Sequence, residues 1–240
     1  MKQTFKLALP FLAFFIVSPH FAQAKTEKQG VVLSKVPSRV DRNAHYLFYI
    51  SGYIVAAGNT RPVSPKFGVY EYQKILEVFS KRGFVVISEA RKQSREIQPY
   101  AAKVAGDVRL LLNRGVPPQN ITVVGASQGS WMAMLVSTYI ANRDLNFVFV
   151  SGCGANDDLH NLVDLHGNVL FITELTDVRG SCKRFRDDAN GLGDYESMEI
   201  NTGLKHGFLY RPITEWVEPT VQWAKKHSLT GANQSALLPK

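Results

Sequence analysis

The sequence predicts an α/β fold in which helices flank a doubly wound, mostly parallel β-sheet. Short apolar runs rich in Val, Ile and Phe alternate with helical stretches from Ala44 onward, as a parallel sheet with crossover helices requires. The runs are continuously apolar, which is typical of strands buried on both faces. Gly83 and Gly115 each follow an arginine at the end of a helical stretch, which is a common way for a helix to end.

The predicted elements follow one another in the order of repeated β-α-β units. The predicted strands are His45–Ile50, Phe84–Ser88, Ile121–Val124, Phe147–Val150, Val169–Thr173 and Ser197–Asn201, with Gly30–Val36 as a weaker candidate. The predicted helices are Tyr70–Arg82, Tyr100–Arg114, Gln128–Ala141 and Thr214–His227. Ligands of such sheets bind beyond the carboxyl ends of the strands, so functional residues are expected in the loops that follow them.

The first 24 residues have the three-part pattern of a secretory signal peptide. Lys2 and Lys6 precede the apolar run Leu7–Val17, and Ala22–Ala24 supplies the small residues of a cleavage site. An uncleaved membrane anchor is the alternative, but this run is much shorter than the ~20 residues that span a bilayer. We therefore expect residues 1–24 to be a signal peptide cleaved near Ala24 and residues 25–240 to form one domain. The mature protein is expected to be periplasmic or secreted, without a stable membrane span.

Charge and composition narrow the possible partners. The formal net charge is +8, and removal of residues 1–24 takes away two lysines and no acid, which leaves +6. Because Lys and Arg are interleaved with acids over most of the chain, this charge does not indicate a nucleic-acid partner. No cluster of His and Cys predicts a metal site, and no glycine fingerprint predicts a dinucleotide cofactor.

The segment Gly125–Gly129, which reads Gly-Ala-Ser-Gln-Gly, joins a predicted strand directly to a predicted helix. A strand-to-helix turn this tight leaves no room for side chains at its two ends, and it forces the central Ser127 into a strained conformation that exposes its hydroxyl. The helix N-terminus also favours developing negative charge. The segment therefore predicts a nucleophilic serine, with a serine-containing turn of a Rossmann-like sheet as the alternative.

In this context the chain resembles the α/β-hydrolase superfamily, and more narrowly its small dienelactone-hydrolase-like and esterase-like members without a separate cap domain. The resemblance extends over essentially all of the chain after the predicted signal peptide. It implies that Ser127 is the nucleophile and that the backbone N–H of Gln128 is one oxyanion donor. The second donor of the family follows its third strand, often as His-Gly. Here Ser51 replaces the His, and we expect Tyr53 to donate, with Gly52 as the alternative.

The chain order of the family, nucleophile then acid then base, implies where the acid lies. The predicted strand Val169–Thr173 runs into Asp177, which matches the loop that carries the acid in the family. Asp177 is therefore the predicted acid, which would hold the imidazole of the base in one tautomer. The rivals are Glu174, Asp157 and Asp158.

The predicted base is His206. It lies between the last predicted strand and the last helix, in Lys-His-Gly-Phe, and resembles the base motif of the family. It would take the proton of Ser127 and later donate it to the leaving group. The expected function is hydrolysis of a small-molecule ester, thioester or lactone through an acyl-enzyme. The alternatives are an acyltransferase with the same triad and a catalytically silent binding protein on the same fold.

The loops expected to border Ser127 are rich in cationic residues. Arg91 and Arg95 are the candidate rim residues, which would attract an anionic ester by electrostatic steering. Scattered, solvated charge is the alternative. The cations in these loops are Arg61, Arg91, Lys92, Arg95, Arg179, Lys183, Arg184 and Arg186, against the acids Glu89, Glu96 and Asp177.

Cys153 and Cys182 are the only cysteines, and both follow strands at the same edge of the predicted sheet. In an exported protein two such cysteines are a candidate disulfide, with two unpaired thiols as the alternative. Closing a ring of ~28 residues would contribute on the order of 3 kcal/mol to the free energy of unfolding. The bond would also restrain the loop that carries Asp177.

Overall fold

A computed structural model describes residues 29–55, 59–91, 96–154, 157–178 and 183–229 of the chain. Its centre is a sheet of seven strands in the order β1-β5-β2-β6-β7-β8-β9, and each neighbouring pair is parallel. The remaining two strands, β3 and β4, form a small antiparallel hairpin. The strands are β1 (Val31–Leu33), β2 (Tyr46–Ile50), β3 (Val63–Ser64), β4 (Gly68–Val69), β5 (Val85–Ile87), β6 (Ile121–Ala126), β7 (Asn146–Val150), β8 (His166–Glu174) and β9 (Gly191–Ile200).

Helices cover both faces of the sheet because successive strand residues point to opposite sides. In β7, Phe147 and Phe149 pack with residues of α2 and α3, whereas Val148 and Val150 pack with residues of α1 and α6. The helices are α1 (Tyr72–Lys81), α2 (Ile97–Asn113), α3 (Gln128–Ile140), α4 (Asp157–His160), α5 (Lys183–Asp187) and α6 (Thr214–Lys226). Short 3-10 turns span Tyr53–Val55, Pro118–Asn120 and Lys205–Tyr210. The predicted doubly wound, mostly parallel sheet is therefore confirmed.

The predicted helices match the structure to within three residues at either end, but the last strand was predicted too short. β9 begins at Gly191, six residues before the predicted start at Ser197. It is an edge strand whose first six residues are mostly partly exposed and include Asp194 and Glu196, so it lacks an apolar run. Between β7 and β8 the described residues contain one short helix, the four-residue α4.

None of the helices in the described part of the chain is long and apolar enough to cross a membrane. The predicted signal peptide, residues 1–24, lies outside the described residues and stays a prediction.

Candidate active site

The turn at Ser127 is built as the sequence predicts. β6 ends at Ala126 and α3 begins at Gln128, and Ser127 between them has φ 56° and ψ −119°, a conformation rare for a residue with a side chain. A Cβ atom on Gly125 would lie 2.4 Å from the carbonyl oxygen of Gly129, and one on Gly129 would lie 2.0 Å from that of Ile50. Only glycine fits at either end of the turn, and the hydroxyl of Ser127 lies at the carboxyl edge of the sheet.

The structure brings Ser127, His206 and Asp177 together. His206 Nε2 lies 2.8 Å from Ser127 Oγ, and His206 Nδ1 lies 2.6 Å from Asp177 Oδ2. The side chain of Asp177 is 4% exposed and that of His206 is 14% exposed, so the hydrogen bond between them is largely shielded from water. This arrangement can move a proton from the serine to the imidazole while the carboxylate fixes the tautomer. The catalytic roles of the three residues stay predictions.

Glu174, the rival acid, is engaged elsewhere. Its buried carboxylate accepts hydrogen bonds from the backbone N–H and the hydroxyl of Thr202, both at 2.9 Å, and from the hydroxyl of Thr176 at 2.9 Å. Burial raises the pKa of Glu174, but the hydrogen bonds from Thr202 and Thr176 outweigh it, so the pKa lies below its ordinary value. Glu174 therefore ties the end of β8 to the loop that precedes His206.

Asp157 and Asp158, the other rivals, begin α4 after β7. Their side chains lie outside what the structure describes. Among the described carboxylates, that of Asp177 is hydrogen-bonded to His206 Nδ1.

Ser151 is a residue of the site that sequence reasoning missed. Its hydroxyl donates a 2.6 Å hydrogen bond to Asp177 Oδ2 and lies 3.4 Å from His206 Nδ1. Ser151 follows β7, is 2% exposed and has φ 50°. The sequence does carry a signal for this residue. Ser151 is polar and directly follows β7, the buried strand that pairs with β6, which leads to Ser127. Ser151 and His206 both contact Oδ2 of Asp177, so the Ser151 hydroxyl helps to fix the orientation of this carboxylate.

The two predicted oxyanion donors lie on the loops that border Ser127. Gln128 is the first residue of α3, so its backbone N–H has no acceptor within the helix. Gly52 lies against the nucleophile, since a Cβ atom on it would be 3.2 Å from the Cβ of Ser127. Tyr53 follows Gly52 and begins a short 3-10 turn, and its role as the second donor stays a prediction.

A pocket of about 350 Å³ opens beside Ser127 and His206. Its size is near the lower end of the ~300–1,000 Å³ range of small-molecule sites. The ring of Phe67 lies 6.3 Å from that of His206 and 5.4 Å from that of Tyr210, so aromatic side chains form one wall. The lining residues are uncharged apart from any proton on His206: Gly52, Tyr53, Ile54, Val63, Ser64, Pro65, Phe67, Tyr70, Ser127, His206, Leu209 and Tyr210.

The prediction that Arg91 lies on the substrate rim is wrong. Arg91 is 4% exposed, donates a 2.9 Å hydrogen bond to the carbonyl oxygen of Ser51, and lies over the ring of Tyr100 at 5.1 Å. The loop after β5 directs this side chain inward, beneath the loop of Gly52, where it cannot meet a substrate in solution. Arg95 lies outside the described residues.

Cys153 is buried directly after Gly152 at the end of β7, and Cys182 lies outside the described residues, so the disulfide stays a prediction. In the described ranges no group of three or more His, Cys, Asp and Glu side chains is arranged to hold a metal ion.

No protein-family model matches the chain. No curated protein matches it in sequence. Among solved structures, the chain is similar to esterase B from Lactobacillus rhamnosis, with a TM-score of 0.53, 14% identity and coverage of 79% of this chain and 78% of that one. It is also similar to an arylesterase, with a TM-score of 0.51, 14% identity and coverage of 77% and 76%. Together with the strand order and the turn at Ser127, these likenesses show that the chain has the α/β-hydrolase fold, as the resemblance in the sequence implies.

Proposed function

We propose that the protein is a serine hydrolase that cleaves a small, neutral carboxylic ester, thioester or lactone through an acyl-enzyme. The observation that carries the proposal is the pair of hydrogen bonds that links Ser127 Oγ to His206 and His206 to Asp177, at 2.8 and 2.6 Å. Both lie within the range expected of a nucleophile, a general base and the group that orients the base.

The proposed reaction follows from these contacts. His206 Nε2 takes the proton of Ser127 as the hydroxyl oxygen attacks the carbonyl carbon, and the resulting oxyanion faces the N–H groups of Gln128 and Tyr53. The imidazolium then gives its proton to the leaving group, which leaves an acylated Ser127. Water attacks the acyl group with His206 again as the base, and the serine is restored.

The proposed substrate class follows from the pocket. Its wall carries Phe67, Tyr210 and Leu209, and none of the described lining residues is a Lys, Arg, Asp or Glu. Arg91, on which recruitment of an anionic ester would rest, is buried. A short acyl chain or a single aromatic ring therefore suits the pocket better than an anionic group or a long fatty chain.

A panel of p-nitrophenyl esters tests this proposal. We expect kcat/KM to be largest for the butyrate and the benzoate and to fall steadily from the octanoate onward, because longer chains exceed the pocket. Exposed charges act on encounter and are screened over ~8 Å at physiological salt, so neutral esters should show no dependence on ionic strength.

Ser127→Ala, measured with the same panel, is the control. Equal rates for that variant and the natural protein would contradict the proposal. A preference for an anionic succinate monoester that weakens as the salt concentration rises would instead support the hypothesis that a cationic rim recruits the substrate. Preferential transfer of the acyl group to an added alcohol, with little free acid formed, would indicate an acyltransferase.

We further propose that the protein is exported and contains a Cys153–Cys182 disulfide. Support comes from the signal-peptide pattern of residues 1–24 and from the position of Cys153, buried beside Gly152 and Ser151 at the edge that carries the site. A buried cysteine in an oxidising compartment suits a structural disulfide.

The intact mass of the protein recovered from the exporting cell tests both points. We expect a chain that begins at Lys25 and is two hydrogens lighter than its reduced form. Reduction should lower the melting temperature, because the cross-link restricts the unfolded chain. A chain that retains residues 1–24 would contradict cleavage, and two thiols that react in the unfolded, non-reduced protein would exclude the disulfide.

A further inference from the structure

A buried guanidinium lies directly behind the loop that carries the proposed second oxyanion donor. Arg91 is 4% exposed. It donates hydrogen bonds to the carbonyl oxygens of Ser51, at 2.9 Å, and Gly52, at 3.4 Å. A third bond, at 3.4 Å, reaches the side-chain oxygen of Gln128. One side chain therefore contacts both loops that supply the proposed oxyanion donors.

Burial of the positive charge of Arg91 costs free energy. Burial lowers the pKa of its guanidinium, because the charged form loses hydration. In the described part of the chain, its hydrogen-bond acceptors are carbonyl and amide oxygens and include no carboxylate. A buried cation without a partner of opposite charge is costly, and such groups are concentrated at functional sites.

The peptide geometry indicates what this charge does. The carbonyl of Gly52 and the N–H of Tyr53 belong to the same planar peptide group. A hydrogen bond from the guanidinium to that carbonyl fixes the plane of the group and polarises it, so that its N–H becomes a stronger donor. The bond to Ser51 fixes the preceding peptide in the same way.

We propose that Arg91 is a positioning residue of the oxyanion hole, which aims and polarises the N–H of Tyr53 toward the oxygen that becomes negative in the reaction. This inference rests on the proposed serine-hydrolase function. Arg91 does not line the pocket beside Ser127, so it acts through the Gly52–Tyr53 peptide and not by touching the substrate. Its positive charge on the far side of that peptide also favours the developing oxyanion.

Arg91→Met and Arg91→Lys test the inference, with Arg184→Met as a matched control. Arg184 likewise donates to a loop carbonyl, that of Gly154 at 3.1 Å, and lies over an aromatic ring, that of Phe185 at 5.0 Å. For p-nitrophenyl butyrate we expect Arg91→Met to lower kcat about 100-fold, the scale of a lost oxyanion donor, with little change in KM. Arg91→Lys should recover part of that loss, and Arg184→Met should keep the natural kcat.

An inhibitor pair separates positioning from general damage to the fold. A butyl trifluoromethyl ketone forms an adduct on the serine that carries an oxyanion, whereas the corresponding secondary alcohol forms none. In Arg91→Met the inhibition constant of the ketone should rise by the same factor by which kcat/KM falls, and that of the alcohol should stay constant. If Arg91→Met does not fold, Arg91→Lys gives the same comparison, since an ammonium cannot make the forked contacts.

Three results would overturn the inference: an unchanged kcat in a folded Arg91 variant, an effect on KM alone, or an equal loss in Arg184→Met. Failure of the proposed function has a different signature. In that case the natural protein would neither hydrolyse the esters nor react with a fluorophosphonate.

Discussion

Ser127→Ala is expected to abolish both ester hydrolysis and labelling by a fluorophosphonate while the protein remains folded. The substitution removes the oxygen that attacks the carbonyl, and Ala tolerates the positive φ of this turn about as well as Ser does. By the measured behaviour of serine-protease triads, kcat should fall on the order of 10⁶-fold. His206→Ala should cost nearly as much, because the hydroxyl is a poor nucleophile without the base 2.8 Å away.

The double variant gives a sharper result than either single one. Residues that act as one unit are not additive, so Ser127→Ala combined with His206→Ala should be little slower than Ser127→Ala alone. Ser197→Ala is the matched control, because Ser197 is an exposed serine on β9 and should leave turnover and labelling unchanged. Labelling that persists at another serine in Ser127→Ala would move the nucleophile elsewhere.

The features that could be predicted from the sequence are those encoded over a few adjacent residues. The turn at Ser127 is an example, because two glycines, a preceding strand and a following helix suffice to define it. The buried strands could also be predicted from the sequence, because strands covered on both faces consist of continuous apolar runs. The resemblance to a known family then implied the order in which Asp177 and His206 follow Ser127, and the structure brings these three residues together.

The features of the candidate site that could not be predicted from the sequence depend on the direction in which a loop side chain points. Arg91 is cationic and follows a strand, so its residue type suggested a solvent-exposed rim. Whether a loop arginine points outward or beneath the neighbouring loop is decided by tertiary contacts, here with Ser51 and Tyr100. Ser151 is a small polar residue at the end of β7, and only the approach of the loop from β8 gives it a role. The hairpin β3–β4 has two-residue strands, too short for any periodicity.

Asp177→Asn is expected to lower kcat about 10⁴-fold, the effect of the same change in a serine-protease triad, whereas Glu174→Gln should lower stability instead. An amide at position 177 would present an N–H to Nδ1 of His206 and favour the wrong tautomer. Asn keeps the size of Asp, and its amide N–H can donate to the hydroxyl oxygen of Ser151, which contacts the same atom position as His206 Nδ1, so folding should be preserved. Thermal unfolding of Asp177→Asn, measured beside its kinetics, checks that assumption.

Glu174→Gln provides the contrast because this carboxylate does not bond to His206 but accepts hydrogen bonds from Thr176 and Thr202. The pKa of Glu174 in the folded protein lies below its ordinary value. The ionised carboxylate therefore stabilises the fold at every pH above the ordinary pKa. This contribution is lost as the pH falls through the folded-state pKa. The variant should therefore melt at a lower temperature at neutral pH, lose part of the acid sensitivity of the natural protein, and keep most of its turnover. If Glu174→Gln instead lost turnover steeply and Asp177→Asn did not, the acid of the triad would be Glu174.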